Sequence, residues 1–147
     1  MTYTPLSFLL AGVIGRQEGM STITQAAYVS NPIRTGNRTL QPLPGASRSE
    51  ASGVNYDGTV IVGWGAPSTT GVHAVLWRKN SSGTFVIEDL GVLHEDDNAF
   101  SSARKADSDG NVVVGLSAIY DRVERKFEKH AFYWMDGEGM KDLNEDR

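Results

Sequence analysis

HAFYWMDGEGMKDL, residues His130–Leu143, restates an earlier stretch of the same chain, HAVLWRKNSSGTFVIEDL at His73–Leu90. In both, His-Ala leads, a Trp stands four residues after the His, a polar turn containing Gly follows, and Asp-Leu closes. Working outward, each copy is preceded by a second matched stretch, ASGVNYDGTVIVG (Ala51–Gly63) and ARKADSDGNVVVG (Ala103–Gly115). Asp57-Gly58 returns 52 residues later as Asp109-Gly110, His73 returns 57 residues later as His130, and Asp89 returns 53 residues later as Asp142. The offset changes only between these anchors. Ser117–Lys129 is five residues longer than its counterpart Gly65–Val72. Insertions are tolerated in loops and not in strands, so the changing offset predicts a loop there.

Each copy predicts four short strands. The first covers Ser49–Val54, and Ser101–Lys105 in the later copy. Asp-Gly then makes a tight turn, because Gly accepts positive φ without a Cβ clash. The second strand is TVIVG or NVVVG, the third HAVLW or HAFYW, and the fourth FVIEDL or GMKDL. Val60, Ile61 and Val62 are consecutive, and both parities of HAVLW carry apolar side chains. Strands that are apolar on both faces are covered on both faces. Four-stranded units stacked sheet on sheet at such a period fit an all-β, propeller-like segment, left incomplete because a closed ring takes about four to eight blades. TLQPL (Thr39–Leu43) aligns with DLGVL (Asp89–Leu93) as the closing strand of an earlier copy whose front is missing or degenerate. The resulting division is a flexible lead-in or weak signal-like segment at 1–36, a partial unit at 37–46, and full units at 47–93 and 94–144. Within the lead-in, one strand is expected around Ala26–Ser30.

Composition narrows the function classes. The net charge is −4, without a block of Lys or Arg, so no nucleic-acid footprint is visible. Cysteine is absent, which excludes disulfides and thiolate metal sites. No run approaches the roughly 20 apolar residues of a membrane-spanning helix. The best apolar run, Leu6–Ile14, has the length of a signal-peptide core, but the first basic residue, Arg16, follows it rather than preceding it.

The repeated residues resemble the HAF repeat family, named for its His-Ala-Phe tripeptide. The pattern is carried by Asp109-Gly110, Val112–Gly115, His130-Ala131-Phe132, Trp134 and Asp142-Leu143, and by Asp57-Gly58, Val60–Gly63, His73-Ala74, Trp77 and Asp89-Leu90-Gly91. The earlier copy departs at Val75, where Phe is expected, and the later one at Asn144, where Gly is expected. The resemblance implies a bacterial extracellular or cell-surface repeat region, sometimes attached to autotransporter proteins, propeller-like and without a general catalytic activity.

Several motifs could carry chemistry. ADSDGN (Ala106–Asn111) offers oxygens at Asp107, Asp109 and Asn111, but a calcium site takes six to eight, and no acid occurs between Asn111 and Asp121. A hairpin turn is the expected reading. HEDDN (His94–Asn98) sets acids beside a His in the linker between units, where acids are ordinarily just solvated. His73 and His130 recur at one place in a structural repeat and are expected to be hydrogen-bonded and structural. Trp77 and Trp134 are expected core anchors. Trp64 has no Trp counterpart, since Leu116 takes its place, and is the one candidate binding residue, able to stack on a sugar if exposed. DRVERKFEKH (Asp121–His130) mixes both charge signs and offers either edge protection or a partner-binding loop. The expected function is therefore a non-catalytic surface module for a protein or glycan partner, without cofactor or metal, and open to self-association. Alternatives are a glycan-processing or metal-assisted hydrolase on the same fold, or a remnant of a longer gene.

Overall fold

The computed structural model describes residues 10–14, 26–31, 36–46, 48–66, 71–95 and 98–144. They form three antiparallel sheets and no helix. The middle sheet runs β4 (Arg48–Val54), β5 (Val60–Ala66), β6 (His73–Lys79) and β7 (Phe85–Gly91), each strand paired with the next. The last sheet repeats this meander as β8 (Ser101–Ala106), β9 (Val112–Asp121), β10 (Lys126–Met135) and β11 (Gly139–Asp142). The chain is thus all-β, with tandem four-stranded antiparallel units and no closed barrel or ring among the described residues.

The two units match strand by strand. Gly63 pairs with Val75 in one, and Gly115 with Phe132 in the other. Each first strand carries a bulge at the same place, with Ser52 extra between Ala51 and Gly53, and Arg104 extra between Ala103 and Lys105. The glycine opposite each bulge has a steric cause. A Cβ on Gly63 would overlap the carbonyl oxygen of Glu50, and one on Gly115 that of Ser102. The repeated Asp-Gly turns place Gly58 and Gly110 at φ 75° and 70°, as the sequence requires.

Both faces of the middle sheet are covered. On one, Ile61, Val75, Trp77 and Ala51 bury against Leu40, Leu43 and Ala46. On the other, Val60, Val62, Ala74 and Leu76 bury against Ala103, Val113, Phe132 and Trp134 of the last sheet. Trp77 is fully buried and Trp134 is 5% exposed, so both serve as the expected core anchors. The Trp77 indole N–H donates to the carbonyl of Gln41 at 2.7 Å, which satisfies its one polar atom.

Polar links tie the two units at their ends. Ser101 Oγ accepts from the Ala74 N–H and donates to the Gly91 carbonyl. These groups sit at the register shift between β6 and β7, where the ladder leaves backbone atoms to be satisfied from elsewhere. At the opposite end, Arg78 donates to the carbonyls of Asp109 and Gly110, and Asn55 Nδ2 to that of Ser108. A Cβ on Gly110 would press on Val60 and Arg78, so this glycine serves the junction as well as its turn.

The N-terminal region differs from expectation. Instead of only a lead-in, residues 10–39 contain a third sheet of β1 (Leu10–Ile14), β2 (Ala26–Asn31) and β3 (Gly36–Thr39). The expected strand around Ala26–Ser30 is β2. Gly12 pairs with Tyr28, and Tyr28 with Thr39, which reproduces Gly115 with Phe132 and Phe132 with Asp142. The second and third strands of the earlier copy are therefore present in degenerate form as β1 and β2. Leucine and alanine fill positions held by β-branched residues elsewhere, which hides the strand pattern in the sequence. The expected closing strand TLQPL begins at Thr39, the last residue of β3 and the register counterpart of Asp142, and runs on with Leu40 and Leu43 in the core. β1 and β2 lie against β4, as β5 and β6 lie against β8. Of the signal-like run Leu6–Ile14, residues 6–9 lie outside the described residues and the rest is β1.

The second correction concerns Ser117–Lys129. The inserted residues extend β9 and β10 rather than forming a loop, with pairing unbroken from Met135↔Val112 to Lys126↔Asp121. β8 pairs only as far as Ser117, and β11 only with Phe132–Met135, so Ala118–Asp121 and Lys126–Lys129 project as a two-stranded ribbon. Tyr120 and Phe127 are cross-strand partners with ring centroids 5.1 Å apart, which supports the ribbon beyond the sheet.

Candidate functional site

The recurring His is held by the recurring Asp. His73 Nδ1 lies 3.0 Å from each carboxylate oxygen of Asp89, and His130 Nδ1 lies 2.8 Å from Asp142 Oδ2. The same carboxylates accept from the backbone two residues on, Asp89 from the Gly91 N–H and Asp142 from the Asn144 N–H. One carboxylate thus fixes an imidazole on the third strand and the turn that leaves the fourth. This explains why His and Asp-Leu recur together, and why Asn144 can replace Gly at the end of the motif. The structural reading of the histidines extends to a specific pair that was not expected. Their joint recurrence was the available signal.

The pairs differ in surroundings. His73 is buried, while Asp89 is partly exposed, and His73 Nε2 has no hydrogen-bond partner among the described residues. His130 is more open, with Nε2 3.5 Å from Glu128 Oε2, while the Asp142 side chain is 7% exposed. Glu128, Lys129, His130 and Asn144 line a surface recess of about 590 Å³ at this end of the last sheet. The hydrogen bond that His130 donates to the Asp142 carboxylate holds its pKa above the ordinary value, and Glu128 adds in the same direction. A raised histidine pKa stabilises the fold below the unfolded value of about 6.5 and loses that contribution as pH rises through the folded value. Urea titrations from pH 6 upward should therefore show stability falling with pH more steeply than in His130→Gln. Equal slopes would show that the pair carries no linked proton.

Acidic side chains outside these pairs serve turns and ion pairs. Asp107 Oδ1 accepts from the N–H groups of Asn111 and Val112, and Asn55 Oδ1 accepts from Val60 at the matching place. ADSDGN is thus a hairpin turn closed by its own carboxylate. In the ribbon, Asp121, Glu124 and Glu128 bring oxygens within 4.8 Å of one another. Lys126 already sits among them, bonded to Glu124 and 3.4 Å from Glu128. The ribbon turn is set by Asp121 Oδ1, which accepts from Val123 and Glu124 and is held below the usual carboxylate range by those bonds. Of HEDDN, Asp96 and Asp97 lie outside the described residues.

Trp64, the candidate stacking residue, is half-buried on β5, with the Arg48 guanidinium 5.4 Å over its ring. That face of the indole already carries a cation–π contact. The structure brings Trp64 together with neither histidine pair: it stands at the Glu50 and Ala74 positions of the register. DRVERKFEKH, read from sequence as edge protection or a partner-binding loop, forms the ribbon tip, where Val123 is 92% and Phe127 50% exposed amid Arg122, Glu124, Arg125 and Lys126. No helix among the described residues is long and apolar enough to cross a membrane. No sequence family, curated protein or solved structure matches the chain.

Proposed function

We propose that the chain is a non-catalytic repeat module of the HAF type, acting at a bacterial cell surface or outside the cell, that engages a protein partner through the β9–β10 ribbon. The observation that carries the reading is the ribbon itself. Among the described residues it is found in the last unit, projects beyond its sheet, and presents exposed apolar side chains inside a ring of both charge signs. An apolar centre with a charged rim is the ordinary anatomy of a protein contact. The histidines and their aspartates support a non-catalytic role, since both units use them alike to hold strand and turn. A glycan partner would fall to Trp64, whose ring is already shared with Arg48.

The test is a ribbon deletion. Replacing Ile119–Glu128 by Asn-Gly leaves the Ala118↔Lys129 pair joined by a two-residue hairpin turn. The full chain and the deletion variant would be immobilised and screened against surface-protein and glycan panels. Binding to a protein, lost in the variant with melting unchanged, is the expected result. Binding only to glycans, or binding that survives the deletion, would overturn the assignment.

A further inference from the structure

At one end of the middle sheet, four backbone groups are satisfied by the leading segment of the next unit. The Val72 N–H donates to the Ala99 carbonyl, and the Val72 carbonyl accepts from the Ser101 N–H, each at 2.8 Å. The Ala74 N–H donates to Ser101 Oγ at 2.7 Å, and that hydroxyl donates to the Gly91 carbonyl at 2.6 Å. Val72 and Phe100 thereby form a parallel bridge, so the segment runs in the direction of β6. Ser101 is fully buried, as is Ser49 at the same place on β4. The same four groups recur in the last sheet. His130 stands where His73 stands, which makes Lys129, Ala131 and Asn144 the counterparts of Val72, Ala74 and Gly91. Their direction follows from the ladder. The Ala131 carbonyl accepts from the Leu143 N–H, away from β9, and Lys129, two residues earlier, aims its N–H and carbonyl to the same side. Across the ladder Ala118, paired with Lys129, donates its N–H to Phe100, away from β10. Among the described residues nothing bonds the Lys129 N–H and carbonyl, the Ala131 N–H or the Asn144 carbonyl. Lys129, His130 and Asn144 instead line the recess of about 590 Å³, and the His130 side chain is 20% exposed where that of His73 is 10%.

We propose that this end of the last sheet binds an extended, Ser-bearing segment of a partner protein, parallel to β10, as Ala99–Ser101 binds beside β6. The four groups set the chemistry that is recognised. Lys129 asks for a carbonyl on its N–H and, two residues later in the partner, an N–H on its carbonyl. Ala131 and Asn144 ask for one hydroxyl that accepts from the first and donates to the second. Among side chains with so short a stem, Ser and Thr carry a group that does both. Backbone pairing supplies the affinity and the hydroxyl the selectivity, which is strand addition at a sheet edge. Beyond the Ser, a small apolar residue at the place of Ala103 would cover Val114, which is 40% exposed, as Ala103 shares a core cluster with Val62. The site stands at the base of the ribbon and does not rest on its tip, since removal of Ile119–Glu128 keeps all four groups.

The probe is a synthetic peptide of residues 98–106, NAFSSARKA, added to the full chain. An NMR titration should shift the amides of Lys129, His130, Ala131 and Asn144, in the full chain and in the ribbon deletion alike. A peptide with Ser101→Ala should bind about tenfold more weakly, because one hydroxyl makes two of the four bonds. Methylating the peptide's backbone nitrogen at Ser101 should weaken it comparably, and neither change touches the folding of the protein. Lys129→Pro, at an edge position whose N–H faces away from β9, should weaken binding of the unmodified peptide with melting retained. The proposal is overturned by unmoved amides at millimolar peptide, or by equal binding of the Ser101→Ala peptide. Shifts at Val72, Ala74 and Gly91 instead would mean that the peptide displaces β8, and binding lost with the ribbon would place the contact on the tip. Either result overturns it too. In the free chain the Lys129 and Ala131 amides should exchange rapidly with solvent. Protection that falls on dilution would put a second copy in the site, and protection at every concentration would put the chain's own residues there, against the proposal in both cases.

Discussion

Trp77→Ala is expected to lower the unfolding free energy by about 3–5 kcal/mol, the range for truncating a fully buried aromatic. Trp77 is 0% exposed and lies at the centre of the cluster formed by Leu40, Leu43, Ile61 and Val75, with Phe85 and Ile87 at its margin. Truncation removes those contacts and leaves a cavity between the middle sheet and the 40–46 segment. It also strips the Gln41 carbonyl of its indole donor. A domain of this size is stable by only about 5–15 kcal/mol, so the loss is a large fraction of the whole. Urea denaturation at neutral pH measures it. Trp64→Ala, at a half-buried site beneath Arg48, should cost markedly less. A Trp77→Ala loss below about 1 kcal/mol would show that the segment before β4 is not a working half of the core.

The second large effect is expected at Gly115. Its strand runs opposite the bulge at Arg104, and a Cβ would overlap the Ser102 carbonyl oxygen, approach Ala103 Cα to 2.9 Å and meet Phe132 Cε1 at 2.8 Å. Two of these neighbours are backbone held in the β8–β9 ladder and cannot give way. Gly115→Val should therefore cost at or beyond the upper end of the roughly 1–3 kcal/mol typical of overpacking. Gly63→Val should behave alike, because the Glu50 carbonyl occupies the matching place. Gly137→Ala separates sterics from backbone strain: nothing lies within 4 Å of its Cβ position, but φ is 82°. That change should cost only about 1 kcal/mol. Thermal melting of the three variants ranks them, and a Gly115→Val protein as stable as Gly137→Ala would refute the close packing at the bulge.

Sequence alone determined a good deal of this molecule. Two copies aligned by His-Ala, Trp, Asp-Gly and Asp-Leu place eight strands, and consecutive Val60, Ile61 and Val62 require a sheet covered on both faces. The Asp-Gly turns follow from backbone sterics, and the burial of Trp77 and Trp134 follows from their parity on the third strand. These are local or periodic properties, and such properties are written into the order of residues. The structural reading of the histidines was available for the same reason, although their aspartate partners, 12 and 16 residues away in sequence, are joined to them only by strand pairing.

The tertiary structure decided the rest. Whether Ser117–Lys129 extends a hairpin or loops out depends on whether cross-strand partners such as Tyr120 and Phe127 face each other, and that is a matter of register. The bulges at Ser52 and Arg104 leave no mark of their own in composition, and they explain Gly63 and Gly115 only once the opposing carbonyls are in place. The N-terminal sheet was hidden because β2, the counterpart of β6 and β10, reads AAYVSN, without His or Trp, and only pairing against Gly12 and Thr39 reveals its equivalence. Which apolar face is buried and which stays open is likewise absent from the sequence. Val62 and Val114 are the same residue at the same place in the repeat, and they differ because a sheet packs against one and no described sheet packs against the other.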